Sequence, residues 1–255
     1  MGMNVVGLIE SLWRYPVKSM RGEELREAFL GFGGVYGDRR YAFLSSAARD
    51  DFPYLTAREK HEMLLHRPIY RHPELMMKPS PRLTRAYASL DVETPTGERL
   101  PVEDPRLIDL LREGLRERLG DRPDLAMVQS DVAITDNRPV SLFSLQTVRR
   151  IGEEVGTVLD KRRFRANIYV DLAVGDGFGE DEWVGRKLVV GSEVIVEILK
   201  RNKRCKMVTL DPDTSDPNPE VVKKLAEDHD TRAGIYAAVL VEGTVGVGDE
   251  ICLVD

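Results

Sequence analysis

The residues with the greatest chemical reach lie in one run, Lys200-Arg201-Asn202-Lys203-Arg204-Cys205-Lys206, where five cations surround one of the chain's two cysteines. Clustered positive charge favours a thiolate over a thiol, so a cysteine placed there gains reactivity as a nucleophile or metal ligand. The same cations attract phosphate or another anion. Just upstream, Val194, Val196 and Ile198 alternate and predict a strand, with Cys205 at or just beyond its end. The turn-rich Asp211-Pro212-Asp213-Thr214 follows and puts the cysteine on a strand-to-loop rim, where sites tend to sit. A buried structural cysteine followed by a solvated basic turn is the alternative reading of the same residues.

Polar residues scattered along the chain are candidates to join Cys205: Lys18-Ser19, Arg39, Thr56 with Arg58, Arg138, Ser141 and Ser144, Arg165 and Asn167, and Lys203-Arg204. Taken singly, each has an ordinary reading. Lys18 reads as an exposed loop lysine, Lys60 as a solvated surface charge, and Ser141 and Ser144 flank a helix start, where a serine caps backbone N–H groups. A helix N-terminus also attracts anions. If these residues converge, they make an anion-lined pocket with a soft sulfur ligand at one edge, suited to a thiolate-loving metal.

Other chemistries are set aside. The sequence has no G-x-S-x-G, no Walker loop and no C-x-x-C. His61, His66 and His72 lack a metal spacing and read as surface or packing residues, and Asp211, Asp213 and Asp216 do not fit a calcium loop. The glycine-rich Gly31 to Gly37 has Tyr36 where a phosphate loop needs glycine, so it reads as turns and bulges. Two cysteines fit a reducing cytoplasm and cannot hold an iron–sulfur cluster, which takes four ligands.

The elements that must position these residues are mostly short strands. Residues 4–17 read as a strand stopped by Pro16, Leu90 to Val102 as a hairpin, and Leu55 to Arg58 as the start of a β segment. Asp104-Pro105 opens a helix with Leu107, Ile108, Leu111, Leu115 and Leu119 on one face. Further helices are expected from the Ser141/Ser144 region to about Glu154 and over Pro219–Glu227, while residues 60–85 read as an irregular excursion. Without βαβ alternation, the pattern favours mainly β (α+β) barrels over a doubly wound sheet. Asp121-Arg122-Pro123 divides the chain into modules 1–121 and 122–255. At 255 residues, 42% hydrophobic and 31% charged, the chain is an ordinary globular one, and its net charge of −6 argues against a nucleic-acid partner. No apolar run approaches the roughly 20 residues that span a bilayer, and no secretory signal is visible, so a cytoplasmic protein is expected.

Taken together in order, several of these stretches resemble one family. Tyr15-Pro16-Val17-Lys18-Ser19, Gly37-Asp38-Arg39 and Leu55-Thr56-Ala57-Arg58 are similar to the N-terminal β-barrel module found ahead of MOSC domains. Phe164-Arg165-Ala166-Asn167-Ile168 and Arg204-Cys205, with Thr209-Leu210-Asp211-Pro212 downstream, resemble the MOSC domain itself. The resemblance implies an N-terminal barrel-like module packed on a MOSC β-barrel with a few short helices, as in the mitochondrial amidoxime reducing components. It implies that Cys205 is the catalytic protein ligand to molybdenum. It further implies that Lys18, Ser19, Arg39, Ser141, Arg165, Asn167 and Arg204 surround a molybdenum–pyranopterin cofactor; Arg58 and Ser144 join them as candidates. The implied activity is reduction of N-hydroxylated or N-oxide-type small molecules, with electrons from a separate reductase or ferredoxin-type protein. A role in sulfur transfer or cofactor handling, with Cys205 as a persulfide, is the alternative, and pyridoxal phosphate binding has also been suggested for MOSC domains.

Overall fold

The structure, a computed structural model, describes residues 4–49, 51–79, 89–113, 115 and 123–254. Seven strands close into a barrel: Asn4–Arg14, Val140–Ser144, Ile168–Leu172, Lys187–Val190, Val194–Lys203, Arg232–Val241 and Glu250–Leu253. Asn4–Arg14 closes it, pairing antiparallel with Ile168–Leu172 on one side and Glu250–Leu253 on the other. The first strand of the chain is therefore a stave of a barrel otherwise built beyond residue 139. Val140–Ser144 and Ile168–Leu172 run parallel. A parallel pair needs a crossover, and here it carries the helix Leu145–Val155, which is capped by Ser144 and stopped by Gly156 in the left-handed region at φ 75°.

The period-two pattern sets the barrel core. Val194, Val196 and Ile198 are fully buried, as their alternation predicted, and meet Ile9, Leu12, Leu142, Ile168, Leu188 and Ile235 inside. Cys252 is buried in the final strand, and that burial raises its thiol pKa, with Glu250 adding to the effect.

The rest of the first half forms small sheets. Tyr41–Arg49 sits between Phe52–Tyr54 and Leu125–Gln129, and Leu90–Glu93 between Arg67–Tyr70 and Arg99–Pro101. They enclose a second core of Val17, Phe43, Leu55, Leu90 and Leu107, to which the second half contributes Leu210. Three α-helices occur among the described residues, so the fold is mainly β.

Several expectations change in detail. The helix opened by Asp104 spans Pro105–Arg112 only; Leu115 is buried beyond its end and Leu119 lies outside the described residues. Leu55 to Arg58 is no strand: β pairing stops at Tyr54, and Thr56 turns the chain by donating its N–H to Glu59 Oε2 at 3.0 Å. The stretch 60–85 is partly ordered, with 3₁₀ turns at His61–Leu65 and Pro73–Met76 around the strand Arg67–Tyr70; residues 80–85 lie outside the described set. Lys60 is not a free surface charge, because its Nζ donates to the carbonyls of Leu110 and Glu113 at the end of the Pro105–Arg112 helix. The boundary residues Asp121 and Arg122 are likewise outside the described set. No helix among the described residues is long and apolar enough to cross a membrane.

One buried cation ties the barrel to the small sheets. Arg14 is 1% exposed; it meets Glu23 at 2.7 Å, donates to the carbonyls of Met76 (2.7 Å) and Tyr36 (3.2 Å), and lies 4.9 Å from the Tyr70 ring centroid. Arg14→Ala leaves two carbonyls without their donor and should cost about 3 kcal/mol. Urea unfolding checks this: the midpoint should fall with an unchanged slope.

Candidate functional site

The two halves meet at a cavity whose corners are set by backbone turns. Tyr15 is the hinge pin. Its N–H donates to Asp38 Oδ1 at 2.7 Å, and its carbonyl accepts from the Arg39 N–H at 2.7 Å. Gly37 makes this possible: it sits at φ 81°, and a Cβ there would come within 2.9 Å of Met76 and 3.3 Å of Arg14. Just past Pro16, the Lys18 N–H donates to the Tyr41 carbonyl at 2.8 Å, which sends Lys18 and Ser19 inward. Ser19, Arg39 and Arg165 all have left-handed backbone, at φ 66°, 44° and 52°. Non-glycine residues avoid that region, and its use clusters where geometry matters for function.

A cavity of about 100 Å³ results, lined by Lys18, Ser19, Arg39, Arg58, Ser141, Arg165, Asn167, Arg204 and Cys205. These are the candidates named from sequence, with one exception. Ser144 does not line the cavity. It is fully buried, caps the Leu145–Val155 helix through Thr147 N–H, and donates its hydroxyl to Glu180 Oε2 at 2.6 Å. The capping reading holds for it, because its position in the strand turns it toward Glu180. Ser141 and Asn167 line the cavity but also bind each other: Asn167 Oδ1 accepts from the Ser141 hydroxyl at 3.0 Å, while its Nδ2 donates to the Trp13 carbonyl at 3.3 Å. Lys18 is 5% exposed, not a loop lysine in solvent.

The lining is strongly cationic. Eight lysines and arginines face it, against one carboxylate, Asp136, among the described residues. Asp136 pairs with Lys18, whose Nζ also donates to the Ile134 carbonyl at 3.1 Å. Burial lowers the Lys18 pKa and Asp136 offsets this; burial alone would raise Asp136, but Lys18, with Arg39 and Arg58 behind it, brings it below the usual carboxylate range. Phe52 lies between two cations, 5.0 Å from Lys18 Nζ and 4.5 Å from Arg58 Cζ.

The arginines carry the unfinished chemistry. Arg204 is buried; its Nε donates to the Ala233 carbonyl at 2.7 Å and its Nη1 to the Phe164 carbonyl at 2.8 Å, leaving Nη2 without a partner. Gly234 gives it room, since a Cβ there would lie 3.0 Å from that nitrogen. Arg165 stacks on Tyr15 at 4.3 Å, and its Nη2 is also buried and unpartnered. Desolvation, with nearby Arg39 adding, pushes Arg165 down to about 10. A guanidinium keeps its proton near neutral pH, so an incoming anion, not deprotonation, relieves this cost. Tyr15 is itself pushed up to about 12 by burial and stays neutral.

Cys205 stands at the edge. It is partly exposed, in extended backbone (φ −126°, ψ −177°), two residues past the end of Val194–Lys203 and just ahead of the 3₁₀ turn Lys206–Thr209. Of its neighbouring cations only Lys203 and Arg204 line the cavity; Arg201 points to Asp181 at 2.8 Å.

Sequence reasoning missed Asp136, Arg163 and Tyr236, all of which line the cavity. Arg163 was signalled by the basic run Lys161-Arg162-Arg163 ahead of Phe164, and Asp136 by the turn it shares with Arg138. Tyr236 carries no local signal: strand register alone places it opposite Ser141. Another acidic cluster, Glu154, Asp228 and His229, lies outside the cavity lining, and its carboxylates are already paired with Arg150 and Lys224 at 2.8 and 2.9 Å.

Two substitutions separate these roles. Ser144→Ala should cost about 1–2 kcal/mol of stability and leave anion binding unchanged. Inorganic phosphate should raise the unfolding midpoint of the wild type; Arg165→Met should keep or raise the midpoint of the ligand-free protein and lose the phosphate effect. Thermal unfolding with and without phosphate reads both.

Comparison with known proteins places this geometry. The family model described as MOSC N-terminal beta barrel domain matches residues 6–105, and that described as MOSC domain matches residues 129–252. Mitochondrial amidoxime reducing component 2 of Macaca fascicularis is 24% identical over 96% of this chain and 83% of its own. Among solved structures, the YUAD protein from Bacillus subtilis covers 97% of this chain and 95% of its own, with TM-score 0.46 and 14% identity. YiiM from Geobacillus stearothermophilus covers 46% and 55%, with TM-score 0.37 and 18% identity.

Proposed function

Because this chain belongs to the MOSC domain family, with a MOSC N-terminal beta barrel domain ahead of the MOSC domain, we propose that its cavity holds the molybdenum–pyranopterin cofactor. The protein then reduces N-hydroxylated or N-oxide-type small molecules, with electrons from a separate reductase or ferredoxin-type donor. The observation that carries this reading is the pair of buried, unpartnered nitrogens on Arg165 and Arg204 in a cavity edged by Cys205. The name of the macaque relative, an amidoxime reducing component, directs the choice of substrate class.

The residues fit such a group. A phosphate would complete the hydrogen bonding of Arg165 and Arg204, and charge-assisted bonds of this kind contribute about 1.5–3 kcal/mol each. At about 100 Å³ the enclosed space suits a headgroup, since whole-ligand pockets run to roughly 300–1,000 Å³. Lys18, Ser19 and Arg58, which share the lining, would help to hold the remainder of the cofactor. Cys205 Sγ offers a soft ligand to the metal.

When bound, the cofactor supplies the oxygen-accepting metal and its redox chemistry. The chain's own part is to hold and to shield. Asp136 fixes the Lys18 ammonium in place, and Phe52 and Tyr54 cover that ammonium. The Ser141–Asn167 pair, itself part of the lining, ties the strands Asn4–Arg14 and Val140–Ser144 to the segment entering Ile168–Leu172.

Protein from a cofactor-competent host should carry stoichiometric molybdenum and reduce benzamidoxime with a chemical donor. Cys205→Ser should keep most of the pterin yet lose more activity than the roughly 10–100-fold that removal of an outer-shell partner costs. Cys252→Ser should retain activity and lose about 1–2 kcal/mol of stability. Metal-free protein bearing labile sulfane sulfur on Cys205 would favour the sulfur-transfer alternative instead.

A further inference from the structure

Behind the wall of the principal cavity lies a second one of about 200 Å³. Arg163, Arg165 and Met207 line both, so this wall is one residue thick. The far side differs in character. Its body is apolar and aromatic, made by Trp13, Tyr15, Leu64, Leu210 and Pro212, and its rim carries Arg21, Arg162 and Glu24.

The polar balance of this rim is incomplete in a specific way. Arg162 is fully engaged, with both Asp160 and Asp213. Arg21 pairs with Asp213 at 2.8 Å through Nη2, and Arg163 with Asp211 at 2.6 Å through Nη2 and the Thr209 carbonyl at 2.7 Å through Nη1. Yet Arg21 Nε and Arg163 Nε are both buried and without a hydrogen-bond partner among the described residues, and both side chains line this cavity. A buried guanidinium nitrogen without an acceptor costs free energy.

We propose that this second cavity is a binding site for a small planar organic anion: one aromatic ring seated against Trp13 and Tyr15, with a carboxylate or phosphate accepting from the free nitrogens of Arg21 and Arg163. The size agrees, because a cavity of about 150 Å³ holds a benzene ring and this one exceeds it. The aromatic walls favour a flat ligand, and the unpartnered guanidinium donors favour one that carries an anionic acceptor. This inference stands apart from the function proposed for the principal cavity, since Arg21, Trp13, Tyr15 and Leu210 do not line that cavity; Arg163 is the one proposed donor the two share.

Phenyl phosphate tests it, with benzoate and inorganic phosphate alongside. The chain has two tryptophans, and Trp183 is buried in the barrel core, so indole fluorescence separates the sites. Phenyl phosphate should quench saturably; Trp13→Phe should abolish the quench while calorimetry still reads binding. Arg21→Ala, at a half-exposed position that leaves the fold intact, should weaken binding by about tenfold, as loss of one charge-assisted hydrogen bond implies. Arg138→Ala, in the principal cavity, should not change it, and inorganic phosphate should fail to displace the ring-bearing ligand. A quench that persists in Trp13→Phe, wild-type affinity in Arg21→Ala, or equal weakening by Arg138→Ala would overturn the assignment. The last of these would place the anion in the principal cavity.

Discussion

The ring of Tyr15 carries two guanidinium groups, those of Arg39 at 4.8 Å and Arg165 at 4.3 Å, and the rest of the site depends on that stack. Arg39 comes from the first half of the chain and Arg165 from the second. Two like charges do not gather on their own. They are held there because the ring offers its negative face to both, because Arg39 is neutralised by Asp38, and because Arg39 Nη2 donates to the Arg165 carbonyl at 3.2 Å. Tyr15 is fixed in turn by its own backbone bonds to Asp38 and Arg39, and by its hydroxyl, which donates to the Ala166 carbonyl at 3.2 Å. The Tyr-Pro-Val-Lys-Ser and Gly-Asp-Arg stretches are thus two sides of one clamp.

The clamp has an electrostatic consequence. Asp38 satisfies Arg39, Asp136 satisfies Lys18, and no carboxylate among the described residues pairs with Arg165 or Arg204. Both have their pKa lowered, chiefly by desolvation. A protein selected for stability alone would replace such groups with apolar ones, because burying unpaired charge is unfavourable. The two arginines stand beside left-handed backbone at Ser19, Arg39 and Arg165, and an anionic ligand would supply the negative charge they lack.

Much of this was legible in the sequence, and the part that was not has identifiable causes. Cys205 at a strand end followed from the alternation of Val194, Val196 and Ile198, which is local. The convergence of Lys18, Arg39, Arg165 and Arg204 was left conditional by the residues themselves and was implied only by the family resemblance; the structure places all four around one cavity. Ser144 was misplaced because a cap and an anion ligand look alike at a helix start; the deciding partner, Glu180, is 36 residues away in sequence. Lys18 looked exposed because its neighbours are turn residues, whereas Phe52 and Tyr54 lie over its ammonium and Asp136, 118 residues on, pairs with it. Thr56 and Arg58 were assigned to a strand, yet Glu59 accepts from both the Thr56 N–H and its hydroxyl, and that local turn outcompetes β pairing.

The fold also explains why the site sits where it does. Barrel closure brings the first strand between the last strand and Ile168–Leu172, so residues immediately after Arg14 emerge next to residues immediately before Ile168. Asn167 marks the seam: its backbone N–H and side-chain carbonyl both engage Ser141, and its amide donates to the Trp13 carbonyl. Tyr15 follows the first strand directly, Arg165 lies three residues ahead of Ile168–Leu172, and Ser141 sits at the start of Val140–Ser144. Arg163 and Arg165 form a wall shared by the cation-rich cavity and the aromatic one behind it. Charge on one side and flat apolar surface on the other follow from a single strand entry, because Phe164 turns inward to stack on Phe143 at 4.2 Å and leaves its two arginine neighbours to face the cavities.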